Sequence, residues 1–219
     1  MSNIPYHLGI IIDGNRRWAK KRGLQPSAGH KAGYKKLKEF AQWCWDAGIK
    51  ILTVFVFSTE NWKRSKKEID FLMNLLYLAV TKELKEITRR NCQLRVIGRK
   101  SDLPKKLRQA VEKAEAATKN NKKGILNLAI SYGGRQEITD ALQKIINSRK
   151  KKKITPELIS ENLYTSGLPD PDLIIRTSGE QRLSNFLTWQ SVYSELYFSP
   201  KLWPDFSRKD FEAVLKDYA

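Results

Sequence analysis

Five short apolar runs punctuate this chain: Leu8 to Ile12, Ile49 to Phe57, Leu94 to Ile97, Ile125 to Ser131 and Leu173 to Ile175. Runs of this length, rich in β-branched residues, read as buried strands. The stretches between them carry apolar residues at helical spacing. Lys31 to Ala47 aligns Leu37, Phe40, Ala41 and Cys44 and stops at Gly48, and Lys66 to Arg90 aligns Ile69, Leu72, Met73, Leu76 and Val80. Further helices are expected after Pro104 and after Gly134. Strand and helix in alternation imply an α/β fold, because parallel strands need crossovers, and crossovers of one hand gather the loops at the strands' carboxyl ends along one edge. No Ser/Gly-rich linker or internal repeat divides the 219 residues. The expectation is one domain over residues 1–219, with a central, mostly parallel sheet flanked by helices.

The loops that would meet at that edge share a chemistry. They hold Asp13, Gly14, Asn15, Arg16 and Arg17; Ser58, Asn61 and Arg64; Gly133, Gly134 and Arg135; and Arg176, Arg182 and Ser184. Arginine forks bind phosphate bidentately, and Gly14 lets backbone approach an anion, so these loops are expected to form one diphosphate-handling site with Asp13 as its metal carboxylate. No GxxxxGK[ST], GxGxxG, GxSxG or HExxH is present. A single aspartate among arginines suits one Mg²⁺ held largely by substrate oxygens, since magnesium takes few protein ligands in phosphate sites.

A formal charge of +18, from 41 Lys and Arg against 23 Asp and Glu, favours anionic partners: phosphorylated substrates, acidic lipid surfaces or nucleic acid. Much of the excess sits in Lys119 to Lys123 and Arg149 to Lys153, which read as solvated loops. No recognition helix or RNA-binding aromatic motif accompanies the charge, so no nucleic-acid partner is expected. Cys44 and Cys92 form no CxxC, and with only His7 and His30 they outline neither a disulfide framework nor a zinc cluster. A cytoplasmic protein, touching membranes at most peripherally, is expected. Phe71 to Val80, the most apolar helix, is too short to span a bilayer.

Taken with their spacing, His7, Asp13 to Lys20, Gly29-His30 with Gly33, Phe57 to Trp62 with Arg64, Tyr132 to Arg135, Asp172 to Phe186, Trp189-Gln190 and Glu195 to Phe198 resemble the motifs of cis-prenyltransferases, the undecaprenyl diphosphate synthase family. The resemblance implies an enzyme that lengthens an allylic diphosphate, such as farnesyl or geranylgeranyl diphosphate, with isopentenyl diphosphate in cis geometry, releasing pyrophosphate. It implies Mg²⁺ on Asp13 and Glu195, and allylic diphosphate on Gly14, Asn15, Arg16, Arg17, Trp18, His30, Ser58 and Arg64. Isopentenyl diphosphate falls to Arg176, Arg182 and Ser184, while Asn61 joins Asp13 as catalytic. The resemblance further implies a homodimer, with Trp189 to Phe198 as an interface element, and an apolar substrate tunnel. Phe71 to Val80 and Ile125 to Ile130 are its candidate walls, narrowed by Val56 and Phe57.

The chain departs from the pattern at four points. Arg16 stands where many relatives have glycine. Pro26 stands where some have arginine, Arg22 being the nearest substitute, and Gln181 replaces a histidine often found before the second-site arginine. The arginine-rich, glycine-containing tail common after the final helix is not part of this sequence, whose last residues are Asp217-Tyr218-Ala219.

Overall fold

The structure is a computed structural model that describes residues 4–148 and 153–219. Arg149, Lys150, Lys151 and Lys152, most of the second basic run, lie outside the described residues.

Six strands form one sheet: β1 (His7–Ile11), β2 (Ile51–Ser58), β3 (Cys92–Ile97), β4 (Gly124–Tyr132), β5 (Leu173–Arg176) and β6 (Glu195–Phe198), in the order β3-β4-β2-β1-β5-β6. Every pairing is parallel. All five residues of β1 are buried, as a central parallel strand covered on both faces must be. Its neighbours lie on opposite sides, with Ile10 opposite Val54 of β2 and Ile175 of β5.

The helices are α1 (Asn15–Lys21), α2 (Pro26–Asp46), α3 (Lys66–Arg89), α4 (Lys105–Thr118), α5 (Gly134–Asn147), α6 (Pro156–Ser160) and α7 (Arg208–Tyr218). Alternation along each strand splits the core. Leu8, Ile10, Leu52, Val54, Val96 and Leu128 face a larger cluster with Phe40 of α2, Leu72 of α3, Leu107 of α4 and Phe211 of α7. Ile11, Phe55, Ile97 and Ala129 face a smaller one, where Phe186 stacks on Phe55 with ring centroids 4.8 Å apart. The β-α order expected from the apolar runs is the observed architecture. β6, α1, α6 and α7 come in addition.

Candidate active site

Strand order reverses at β1, because the chain steps outward to β2 on one side and to β5 on the other. Loops leaving the carboxyl ends of two such strands diverge and open a crevice between them. There the structure has a cleft of about 1250 Å³, lined by Asp13, Gly14, Asn15, Arg16, Arg17, His30, Ser58, Asn61, Arg64, Arg135, Arg176 and Ser184 among others. The four arginine-bearing loops do converge.

Asp13 joins the β1 loop to the β5 loop. Its Oδ2 accepts from Arg17 Nη2 at 3.1 Å and from Arg176 Nη2 at 3.0 Å, and Oδ1 accepts from Gly14 N at 2.7 Å. Burial raises the Asp13 carboxyl, but the Arg176 bond, the charges of Arg17 and Arg176 and the Gly14 N–H outweigh it and hold the group below its ordinary value. Gly14 itself sits at φ 109°, a left-handed conformation that side chains rarely adopt. Arg176 is almost fully enclosed, with 5% of its side chain exposed. It donates to Ser184 Oγ at 2.7 Å and to the Arg182 carbonyl, while its buried Nε has no partner. The loop that supplies these acceptors turns through Ser178, Gly179, Ser184, Asn185 and Leu187, all at positive φ. Non-glycine residues held there cost free energy and cluster where a loop is shaped for binding.

On the other wall, Glu68 of α3 organises the bases. Its Oε1 lies 3.1 Å from His30 Nε2, 3.1 Å from Arg64 Nη1 and 3.9 Å from Arg16 Nε. Burial pushes the His30 imidazole below its ordinary value, with the Glu68 bond opposing. Ser58 and Asn61 cap the 3₁₀ turn Thr59–Lys63 reciprocally, Ser58 N donating to Asn61 Oδ1 at 3.2 Å. Asn61 also lines the cleft. α1 is pressed onto α2 at Gly29 and Gly33. A Cβ on Gly29 would lie 2.0 Å from the Asn15 carbonyl oxygen, and one on Gly33 would lie 2.2 Å from Asn15 Oδ1.

Arg182 is not among the residues that line the cleft: it is 61% exposed and donates to Glu180 Oε2 at 2.5 Å, while Glu180 Oε1 accepts from Arg17 Nη1 at 3.1 Å. Two further expected residues fall elsewhere. Trp18 does not line the cleft: its indole N–H donates to Asp205 Oδ1 at 2.7 Å and Arg22 stacks 4.3 Å above its ring, so it fastens α1 to the turn before α7. Glu195 begins β6 opposite Leu173, exposed at the amino edge of the sheet, whereas Asp13 and Arg176 stand at the carboxyl edge. It is therefore not a ligand beside Asp13 within the same chain. Glu68 and Glu180 went unread. Glu68 follows Ser65 at cap spacing, a legible signal for the α3 start, but its grip on His30 spans 38 positions. Among the described residues, no three His, Cys, Asp or Glu side chains gather as a metal cage.

Behind the cleft, and sharing Ile12, Asn15, His30, Val56 and Leu72 with it, lies an apolar cavity of about 420 Å³ between the sheet, α2 and α3. Leu72, Leu76 and Val80 of α3 wall it, as do Leu126 and Leu128 of β4 and the expected Val56 and Phe57. Tyr34 and Lys38 of α2 both donate to Glu83 Oε1 of α3, at 2.6 and 3.0 Å, stitching the two helices along its side. A cationic cleft continuous with an apolar cavity suits a molecule with an anionic head and a hydrocarbon tail.

Comparison with known proteins agrees with this geometry. The family model described as putative undecaprenyl diphosphate synthase matches residues 11–219. The chain belongs to that family of prenyltransferases. It is similar to isoprenyl transferases from Thermotoga maritima, 48% identical over 99% of this chain and 94% of that one, and Fusobacterium nucleatum, 49% identical over 99% and 93%. Among solved structures it resembles lavandulyl diphosphate synthase from Lavandula x intermedia in complex with dimethylallyl diphosphate, with TM-score 0.93 and 39% identity over 98% of this chain and 95% of that one. A probable undecaprenyl diphosphate synthase from Campylobacter jejuni gives TM-score 0.82 and 36% identity over 100% and 96%. The protein is accordingly an isoprenyl transferase by family, and prenyl chain elongation is the activity that membership supports.

Proposed function

We propose that this enzyme adds isopentenyl diphosphate units in cis to an allylic diphosphate primer, farnesyl or geranylgeranyl diphosphate. The observation that carries the reading is the Asp13 bridge between the β1 and β5 loops, set at the mouth of an apolar cavity. The primer's diphosphate lies against Gly14, Asn15, Arg16, Arg17, His30, Ser58 and Arg64, with its tail in the cavity; isopentenyl diphosphate takes Arg176, Arg182 and Ser184. The allylic C–O bond breaks with its electron pair leaving on the diphosphate. The isopentenyl double bond attacks the allylic carbon, and the proton lost in restoring a double bond goes to the departing pyrophosphate. The fixed arginines favour this step because negative charge grows on the leaving oxygens they face. Asn61 orients the incoming unit.

The donor set fits a bound Mg²⁺. Asp13 is a carboxylate held ionised at the β1 end; Oδ2 is taken up by Arg17 and Arg176, but Oδ1 accepts only the Gly14 N–H and keeps a lone pair for a metal whose remaining positions diphosphate oxygens would supply. When bound, the metal adds positive charge to the leaving group. Arg17 and Arg176 hold Asp13 ionised and aimed.

A homodimer is part of the same reading. Val192, Tyr193 and Leu196 are 71%, 96% and 45% exposed along and just before β6, an edge strand with no further strand beside it among the described residues. The site of action is the cytoplasm with peripheral membrane contact; among the described residues, no helix is long and apolar enough to cross a membrane.

The test is incubation with Mg²⁺, labelled isopentenyl diphosphate and each of dimethylallyl, geranyl, farnesyl and geranylgeranyl diphosphates, resolving products by length and geometry. Ordered cis products support elongation, and no incorporation with any primer overturns it. Likeness to the lavandulyl enzyme favours a second reading, short-chain or irregular coupling. A product from dimethylallyl diphosphate supplied alone would establish it.

A further inference from the structure

We infer that Trp45, near the carboxyl end of α2, is the stop that sets how far a chain grows; the inference rests on the elongation reading above. The apolar cavity runs from His30 beside the cleft, past Leu37 and Ala41, to Trp45. Beyond it lies a second concavity of about 480 Å³, of different character: Lys50, Arg89, Lys123 and Asp46 line it. Gln42, Trp45, Arg90 and Cys92 line both spaces and therefore form the partition between them.

Of those four, Trp45 supplies the bulk. Cys92 is small. Gln42 donates to Asp46, and Arg90 donates its Nε to Glu86 Oε1 at 2.5 Å, so the acids on their own helices restrain both polar groups. The indole rests on Gly124, the first residue of β4. A Cβ built there would meet Trp45 Cζ3 at 3.1 Å and Cε3 at 3.4 Å, so the ring is seated against bare backbone. A hydrocarbon tail advancing through the cavity meets this ring, and past it a concavity where Asp46, Lys50, Arg89 and Lys123 stand beside Gly48 and Ile49. Without the indole the two spaces join, and the volume open to the tail roughly doubles.

The test compares product length for the wild type, Trp45→Ala, Trp45→Phe and Gly124→Ala, with the rate of the first condensation measured alongside. Trp45→Ala is expected to give products longer by at least one isoprene unit, and Trp45→Phe to keep the wild-type length. Gly124→Ala, whose Cβ crowds the ring at 3.1 Å from the β4 side, is expected to shorten them. First-condensation rates stay unchanged, because the partition lies at the far end from Asp13 and Arg176. Should Trp45→Ala not fold, Trp45→Leu keeps apolar packing and still opens the partition. Unchanged product length with normal first condensation overturns the assignment alone. Absence of elongation by the wild type overturns the reading beneath it, and the assignment with it.

Discussion

Gly29 offers a sharp test of how the diphosphate loop is held. In Gly29→Ala the new Cβ would stand 2.0 Å from the Asn15 carbonyl oxygen and 2.8 Å from its carbon, against ordinary contacts that begin at 3.4 Å. The obstacle is backbone, so a rotamer change cannot relieve it. α1 must recede from α2 by well over one ångström, carrying Asn15, Arg16 and Arg17 with it. Overpacking costs about 1–3 kcal/mol, and the better helix propensity of alanine returns up to about 1 kcal/mol. The net is about 0–3 kcal/mol, and at roughly 2–4 °C per kcal/mol for a domain of this size the melting temperature is expected to drop by up to about 12 °C. The functional loss is larger, because a misplacement of one ångström in a positioning group costs roughly 10²-fold in rate. Thermal melts and kcat/KM for the allylic primer, each compared with the wild type, measure the two effects. A Gly29→Ala enzyme with wild-type kcat/KM would refute the claim that close helix approach positions the site.

Three further predictions follow from the site. Asp13→Ala is expected to lower turnover by roughly 10²-fold or more while leaving a folded protein, and retained activity would remove Asp13 from the metal role. Arg182→Ala should raise the KM for isopentenyl diphosphate more than that for the primer; the reverse order would sink the assignment of two separate diphosphate positions. Burial lowers both His30 and His7 below the ordinary value of 6.5, so protonation favours the unfolded chain. Their stabilising contribution is present above pH 6.5 and lost as pH falls through the lowered values. Melting temperature should therefore fall on acidification from pH 7, and less steeply in His30→Gln; an equal slope would show that His30 does not carry the effect.

The strands most plainly legible are those buried on both faces. β1 and β5 have no exposed position, and an uninterrupted apolar run is the signature of such a strand. β6 escaped because its four residues are exposed or half-buried at a sheet edge, and α1 because its seven residues carry no apolar stripe. The site was readable where chemistry follows a strand end directly, as with Asp13 after β1 and Arg176 closing β5. It was unreadable where a partner comes from a distant element. Nothing near His30 announces Glu68, nor does anything near Arg17 announce Glu180. Trp18 shows the converse: it sits within the right motif but, one turn around α1, points its indole at Asp205.

The carboxylates of Asp13, Glu68 and Glu180 already occupy the arginines in and beside the cleft: Asp13 and Glu180 both hold Arg17, Asp13 holds Arg176, Glu180 holds Arg182, and Glu68 holds Arg64. Substrate entry is then an exchange of counterions, in which a diphosphate must out-compete resident acids. Such a site gives up raw affinity and gains discrimination, because a singly charged phosphate ester brings too little charge to displace them. It also keeps the cations folded in place between turnovers, so that release of pyrophosphate is met by groups ready to take its position.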